Sequence, residues 1–257
     1  MNTLIAFTGG LDSTYLLWRL LTQTEDRVHA FWVDFRGLEF HAEAAWYLAL
    51  LDAESVVAPR VIQWLSDNVR PCTFEAVASA RYRREPDDYP KGDGHFWRNI
   101  PILDEAIAIV SRDGFNRFVR GKVPESIRSA DDELRTDWYR RHWADKAPSG
   151  TTFEYPLIDA WHGRPQAIAN LPAELLSIAL SCDNPGADAG NFAECGQCVK
   201  CRMTVELRRW LDNGAAPDVL LDYLLRRRNA GQYRGNYLVR DARLVGGRNP
   251  KPEYRDG

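Results

Sequence analysis

The sequence predicts an α/β fold, with an open, mostly parallel β-sheet covered by helices on both faces and a C-terminal helical, cysteine-bearing segment. Three observations carry this. Through the first 60 residues, short apolar runs rich in β-branched and aromatic residues alternate with segments of helical spacing. Alternation of that kind builds a parallel sheet buried on both faces. The first run ends at Gly9-Gly10 and opens directly into a helical pattern, and four of the five cysteines fall between positions 182 and 201. The expected organisation is an α/β domain over 1–180, followed by a cysteine loop, helices and a basic tail over 181–257.

The elements follow in order. Residues 4–7 form a short buried strand ending at the glycines. Residues 12–21 form a helix, with Leu16, Leu17, Leu20 and Leu21 at helical spacing. Residues 28–35 read as the second strand, and 39–51 as a helix with Phe40, Ala44, Tyr47, Leu48 and Leu51 on one face. The β-branched stretch 56–62 reads as a third strand, although Pro59 fits a strand interior poorly. Further helices are expected over 100–110, 172–180, 205–211 and 219–226, with a strand over 115–120. The charged, Trp-containing stretch 126–150 is poorly periodic and reads as a lid or an insertion.

Composition narrows the class. The chain has 257 residues, 33 Lys+Arg against 36 Asp+Glu, and 45% hydrophobic residues. Ample apolar content and small net charge exclude a disordered chain. No apolar run reaches the ~18 residues of a membrane span, and Met1 leads into the first strand without a basic stretch. A cytoplasmic address is the expectation, with no membrane partner. Five cysteines in such a compartment argue against a disulfide framework. Charge is uneven. Residues 226–257 hold nine Lys/Arg against three acids, or +6, which leaves the remainder at −9. That tail suits contact with the phosphates of a nucleotide or RNA, and equally suits a solvated tail folded over its own domain.

Two motifs carry chemistry. The first is Thr8-Gly9-Gly10-Leu11-Asp12-Ser13-Thr14, between strand one and helix one. Orphan amides and the positive dipole end of a helix N-terminus attract an anion there. Adjacent glycines let the backbone come close, and Thr8, Ser13 and Thr14 add hydroxyls. Asp12 disfavours bare phosphate and suits Mg²⁺. The lysine of a Walker loop and the GxGxxG pattern are both absent. The second motif is Cys182, then Cys195, Cys198 and Cys201 in CxxCxxC spacing. Four thiolates suit one tetrahedral Zn²⁺ in a closed, structural site, and an iron–sulfur cluster uses the same ligands.

The glycine motif resembles the SGGxDS signature of the PP-loop ATP pyrophosphatases, with Thr8 in place of the first serine. That resemblance implies a Rossmann-like, adenine nucleotide alpha-hydrolase-like fold that binds ATP with Mg²⁺, transfers AMP to a substrate oxygen and releases pyrophosphate. Joined to the cysteine motif, the sequence resembles the 7-cyano-7-deazaguanine synthase (QueC) family. Phe35-Arg36-Gly37 through His41, Arg98-Asn99 before an apolar helix, and Tyr155-Pro156-Leu157-Ile158 are similar in the same order. The resemblance spans about residues 3–210 and departs over 122–155 and over Asp159 to Arg164, where the acceptor is expected.

The family chemistry implies activation of the 7-carboxy-7-deazaguanine carboxylate as an acyl adenylate. Ammonia then gives an amide, and a second ATP drives loss to the nitrile. Asp12 and Ser13 would be catalytic, and Thr8 to Thr14 would hold the phosphates and Mg²⁺. Val33 and Asp34 would lie beside adenosine. Arg98 and Asn99 would contact nucleotide or acceptor, and His41 is as well read as structural as substrate-binding. One structural zinc and a homodimer are the further implications. The departures keep open a divergent ligase-like enzyme with another small-molecule, nucleic-acid or protein acceptor, and a non-catalytic nucleotide- and zinc-binding module.

Overall fold

The computed structural model describes residues 1–36, 45–79, 88–90, 96–126, 130–182, 185–188 and 191–229. Its centre is a five-stranded, all-parallel sheet: β1 (Asn2–Ala6), β2 (Arg27–Asp34), β3 (Thr73–Ala78), β4 (Arg117–Arg120) and β5 (Thr152–Glu154), in the order β3-β2-β1-β4-β5. Around it lie α1 (Leu11–Gln23), α2 (Ala45–Asn68), α3 (Phe96–Asp113), α4 (Ala130–Lys146), α5 (Pro156–Asp159), α6 (Arg164–Asn170) and α7 (Ala173–Ile178). A hairpin of β6 (Gly186–Asp188) and β7 (Asn191–Ala193) leads to α8 (Val199–Asp212) and α9 (Pro217–Asn229), both packed on α6.

This is the Rossmann-like α/β architecture that the sequence predicts. Right-handed crossovers send α1 and α2 to one face and α3 and α4 to the other, and α3 packs on α4. Successive residues of β1 and β2 are therefore buried on both sides: Leu4 and Ile5, then Phe31, Trp32 and Val33. The strand order reverses between β1 and β4, which opens a crevice at their carboxyl ends. Among the described residues, no helix is long and apolar enough to cross a membrane.

Two expectations are corrected. Residues 56–62 are not a strand but the interior of α2. Leu50, Ala53, Val57, Val61 and Leu65 bury one face at three- and four-residue spacing, and this stripe outweighs the β-preference of single valines. Pro59 faces out of that helix, and the third strand is β3. The stretch 126–150, read as a lid or an insertion, carries α4, which packs on α3 and β5. Its apolar stripe is aromatic: Trp138, Tyr139 and Trp143 are buried beside Arg135 and Thr136. The expected helices over 205–211 and 219–226 lie within α8 and α9, and 172–180 shortens to α7.

Phe118 of β4 anchors the β4–β5 side, stacked on Trp143 at 5.0 Å and on Phe153 at 5.1 Å between centroids. Phe118→Ala should cost about 3–5 kcal/mol through lost burial and a cavity. Urea unfolding measures the loss, and a change under 1 kcal/mol would contradict this packing.

Candidate functional site

The glycine motif leaves β1 at the switch point and enters α1. Gly9 has φ +71°, and a Cβ there would stand 2.8 Å from Val57 Cγ1 and 2.9 Å from the Ala58 nitrogen, so no other residue fits. Gly10 is the N-cap of α1. Its N–H donates to Thr8 Oγ1 at 3.3 Å, while Ser13 Oγ donates to the Gly10 carbonyl at 3.0 Å. The backbone N–H groups of Asp12 and Ser13 have no hydrogen-bond partner among the described residues. Unpaired amides at the N-terminus of a 13-residue helix are the chemistry that suits an anion. Leu11 and Thr14 are buried, so their side chains serve the core under the loop.

Gly121, just after β4, lies against this turn. A Cβ on it would stand 2.8 Å from Ser13 Cα. Residue 180 closes the other side: Leu180 N–H donates to the Gly9 carbonyl at 2.9 Å, and Leu11 N–H donates to the Leu180 carbonyl at 3.3 Å. The next residues are Ser181 and Cys182, so the glycine loop and the cysteine cluster share one strand of backbone.

The structure brings the four predicted cysteines together. Sγ atoms of Cys182, Cys195, Cys198 and Cys201 all lie within 4.8 Å of one another. The Cys195–Cys201 pair is 4.0 Å apart and the Cys182–Cys198 pair 3.9 Å. A tetrahedral ion with bonds of about 2.3 Å sets sulfurs about 3.8 Å apart, so the cluster can hold one metal ion. Backbone geometry prepares it: Cys198 N–H donates to Cys195 Sγ at 3.2 Å, and Cys195 N–H to Cys182 Sγ at 3.3 Å. Burial alone would raise the Cys195 thiol, but the amides of Cys198 and Gln197 overcome it and bring it down to about 7. Cys72 stands apart, its thiol raised by burial, beside Ser66.

The other predicted residues are placed as follows. Val33 is buried at the carboxyl end of β2. Asp34 is clasped by Arg36 at 2.7 Å, and that hydrogen bonding holds its carboxyl below the usual range. Arg98 donates to Glu54 Oε1 at 2.7 Å, and Glu54 also accepts from Trp32 Nε1, so Arg98 ties α3 to the core. Asn99 accepts from Arg120 Nη2 at 2.9 Å. His41 lies outside the described residues, as does the tail from 230 onward.

Sequence reasoning missed two residues at the loop. Arg164 grips Asp12 with both arms of its guanidinium, Nε–Oδ1 at 3.1 Å and Nη2–Oδ2 at 3.2 Å. Glu125 accepts the Arg164 backbone N–H at 2.7 Å through Oε1, and its Oε2 is buried without a hydrogen-bond partner. The turn before α6 aims Arg164: His162 N–H reaches the Leu157 carbonyl and Trp161 N–H the Ile158 carbonyl, a Schellman closure. Trp161 takes the left-handed position at φ 55°, where glycine is usual. His162 is pinned to α1 by Tyr15 and Arg19, each 2.9 Å from Nδ1. One signal was legible, since an arginine in the first turn of a helix opposes the dipole unless a carboxylate holds it. Nothing local marked Glu125 as buried.

No protein-family model matches the chain, and no curated protein matches it. Among solved structures it is similar to the U34-tRNA thiolase NcsA from Methanococcus maripaludis, solved with its 4Fe–4S cluster. The identity is 12% and the TM-score 0.46, over 89% of this chain and 72% of that one. It is also similar to PH1313 from Pyrococcus horikoshii Ot3, with 12% identity and a TM-score of 0.35, over 69% of this chain and 40% of that one.

Two measurements test the site. Glu125 is 3% exposed, and burial raises its carboxyl from 4.5 to about 7, with Arg164 opposing and Asp12 reinforcing the shift. Between those values the folded chain keeps a proton that the unfolded chain has released. Stability should therefore fall as pH rises from about 4.5 to 7, by up to about 3 kcal/mol. Glu125→Gln should flatten this segment of the stability–pH curve, and parallel curves for the two proteins would refute it. Separately, Cys198→Ser should lose metal and, through residue 180, speed hydrogen exchange at the Leu11 and Leu180 amides about tenfold or more. Unchanged exchange at those amides would show the two sites to be uncoupled.

Proposed function

We propose that this chain is an ATP-dependent adenylating enzyme of the PP-loop type. It binds the ATP phosphates on the Thr8–Thr14 loop and transfers AMP to a carboxylate or carbonyl oxygen of an acceptor, releasing pyrophosphate. One observation carries the reading: the unpaired amides of Asp12 and Ser13 at the N-terminus of α1, on a turn only Gly9 can make, beside the sheet's switch point. Charge stabilisation by these fixed dipoles and positioning of the two reactants supply the catalysis, and no covalent nucleophile is required. Val33 and Asp34, at the end of β2, flank the adenosine side.

Asp12 enters as one member of an Asp12–Arg164–Glu125 network. Its carboxylate suits Mg²⁺ once the guanidinium yields. Two of its members, Glu125 and Arg164, come from the segments where the sequence departs from the 7-cyano-7-deazaguanine synthase pattern. That supports a divergent acceptor, taken for amidation, thiolation or conjugation. A second reading, with 7-carboxy-7-deazaguanine and ammonia as co-substrates, is favoured by the order of motifs from Thr8 to Cys201. The cysteine cluster is read as a structural Zn²⁺ site. Sulfurs within 4.8 Å of one another suit a single ion, whereas four irons, each holding its own sulfur, spread the ligands wider.

The test is product analysis with labelled ATP, with and without 7-carboxy-7-deazaguanine and ammonia, alongside metal analysis. AMP and pyrophosphate are the expected products, and ATP–pyrophosphate exchange should fall about 100-fold or more in Asp12→Ala. Exchange driven by 7-carboxy-7-deazaguanine would select the second reading. ADP and phosphate as products, or full activity in Asp12→Ala, would overturn adenylation. One zinc per chain is expected, and iron with visible absorbance would overturn the zinc assignment.

A further inference from the structure

Helices α6, α7 and α8 leave an open hollow of about 610 Å³ between them. Ile168 of α6, Leu176 of α7 and Leu211 of α8 give it apolar walls, and its polar side chains are Ser177, Arg208 and Asp212. None of the residues Thr8–Thr14 lines it, so it is a concavity separate from the glycine loop. Its size falls in the range of small-molecule sites, roughly 300–1,000 Å³. The other edge of α7 is committed to α2, where Trp64 Nε1 donates to Glu174 Oε2 at 3.3 Å.

The charges single this hollow out. Arg208 Nε is buried and has no hydrogen-bond partner. Among the described residues no group accepts a hydrogen bond from this guanidinium, and no carboxylate pairs with it. Asp212 stands one helical turn further along α8, at the i+4 position. That spacing allows an ion pair, yet the two side chains do not make one, and cation before acid along the chain is the weaker order for such a pair. A guanidinium with an enclosed, unmet N–H beside apolar walls is costly, and an anion on its terminal nitrogens offsets part of that cost. Asp212 decides which anion. A phosphate or a dicarboxylate sets further negative charge against it, whereas a carboxylate that travels with an ammonium satisfies both side chains.

We propose that this hollow binds a small zwitterion with an apolar body, of amino-acid or dipeptide size. Its carboxylate pairs with Arg208, its ammonium with Asp212, and its side chain lies on Ile168, Leu176 and Leu211. The Ser177 hydroxyl donates to the Glu174 carbonyl at 2.7 Å and so keeps its acceptor capacity for the ammonium. No covalent bond is made or broken there. The site does not depend on the adenylation reading, and it is tested without nucleotide.

The test is titration calorimetry of the full chain with leucine, leucyl-leucine, isocaproate (which lacks the ammonium) and leucinamide (which lacks the carboxylate). At least one zwitterion should bind with a dissociation constant below about 1 mM, the tighter one telling amino acid from dipeptide. Each single-charge analogue should bind about tenfold more weakly or worse. Arg208→Met keeps the stem and removes the unmet donor. It should weaken the zwitterion about tenfold or more, with a melting temperature equal to wild type or higher. Asp212→Asn should weaken the zwitterion and leave isocaproate unchanged or tighter. Ala173→Trp fills the hollow, keeps both charges and should abolish binding. Failure of both zwitterions to bind, isocaproate binding as tightly as leucine, or binding unchanged in Arg208→Met would each overturn the site. A lowered melting temperature in Arg208→Met would make that residue structural and overturn it as well. A dimer that Ala173→Trp dissolves would give the hollow to a second copy of the chain, against the proposal.

Discussion

Two backbone hydrogen bonds hold the working end of this molecule together. Leu180 donates to the Gly9 carbonyl and accepts from Leu11 N–H, an isolated parallel bridge at Gly10 beyond the end of β1. This fixes the path of the glycine turn, in which the amides of Asp12 and Ser13 have no hydrogen-bond partner among the described residues. It also sets where the chain must enter the cysteine cluster, because Cys182 is two residues on. A loop that binds anions through its backbone has to be rigid before the anion arrives, since backbone donors that must reorganise lose most of their advantage. Here rigidity comes from three sides: Val57 and Ala58 of α2 under Gly9, Gly121 over Ser13, and residue 180 alongside.

The charges around that loop divide into two groups. On the α6 side, Asp12 pairs the Arg164 guanidinium while Glu125 accepts the Arg164 backbone N–H, so a cation that would oppose the helix dipole is held by the Asp12 carboxylate. The Glu125 carboxyl, fully enclosed, is pushed up to about 7 and thus carries a proton through most of the acidic range. On the β4–β5 side, Lys122 and Arg140 lie against the Tyr155 ring and Arg120 against that of Tyr139.

How much of this was legible follows from the range of each interaction. The glycine turn and the CxxCxxC spacing are local: Gly9 makes the turn after β1, and the four sulfurs come within 4.8 Å of one another. Alternating strands and helices announced the parallel sheet for the same reason. The stretch 56–62 was misread because a valine-rich window favours a strand, whereas the buried stripe over residues 50–65 shows its period only across a longer window. The stretch 126–150 hid a helix because its core face is made of tryptophan and tyrosine among charges, which looks polar to any hydropathy pattern.

Sequence alone determined the α/β class, the glycine turn at Thr8–Ser13 and the four-sulfur cluster, because the signal for each lies in residues close together in the chain. Only the tertiary structure decided what Asp12 touches. Its partner Arg164 is 152 positions away, and Glu125 is a further contact across 39. The same holds for Asn99, which orients Arg120, and for Arg98, which is committed to Glu54. Side-chain chemistry is written in the sequence, but whether a carboxylate is free, paired or protonated depends on which distant charge and how little water the fold places beside it.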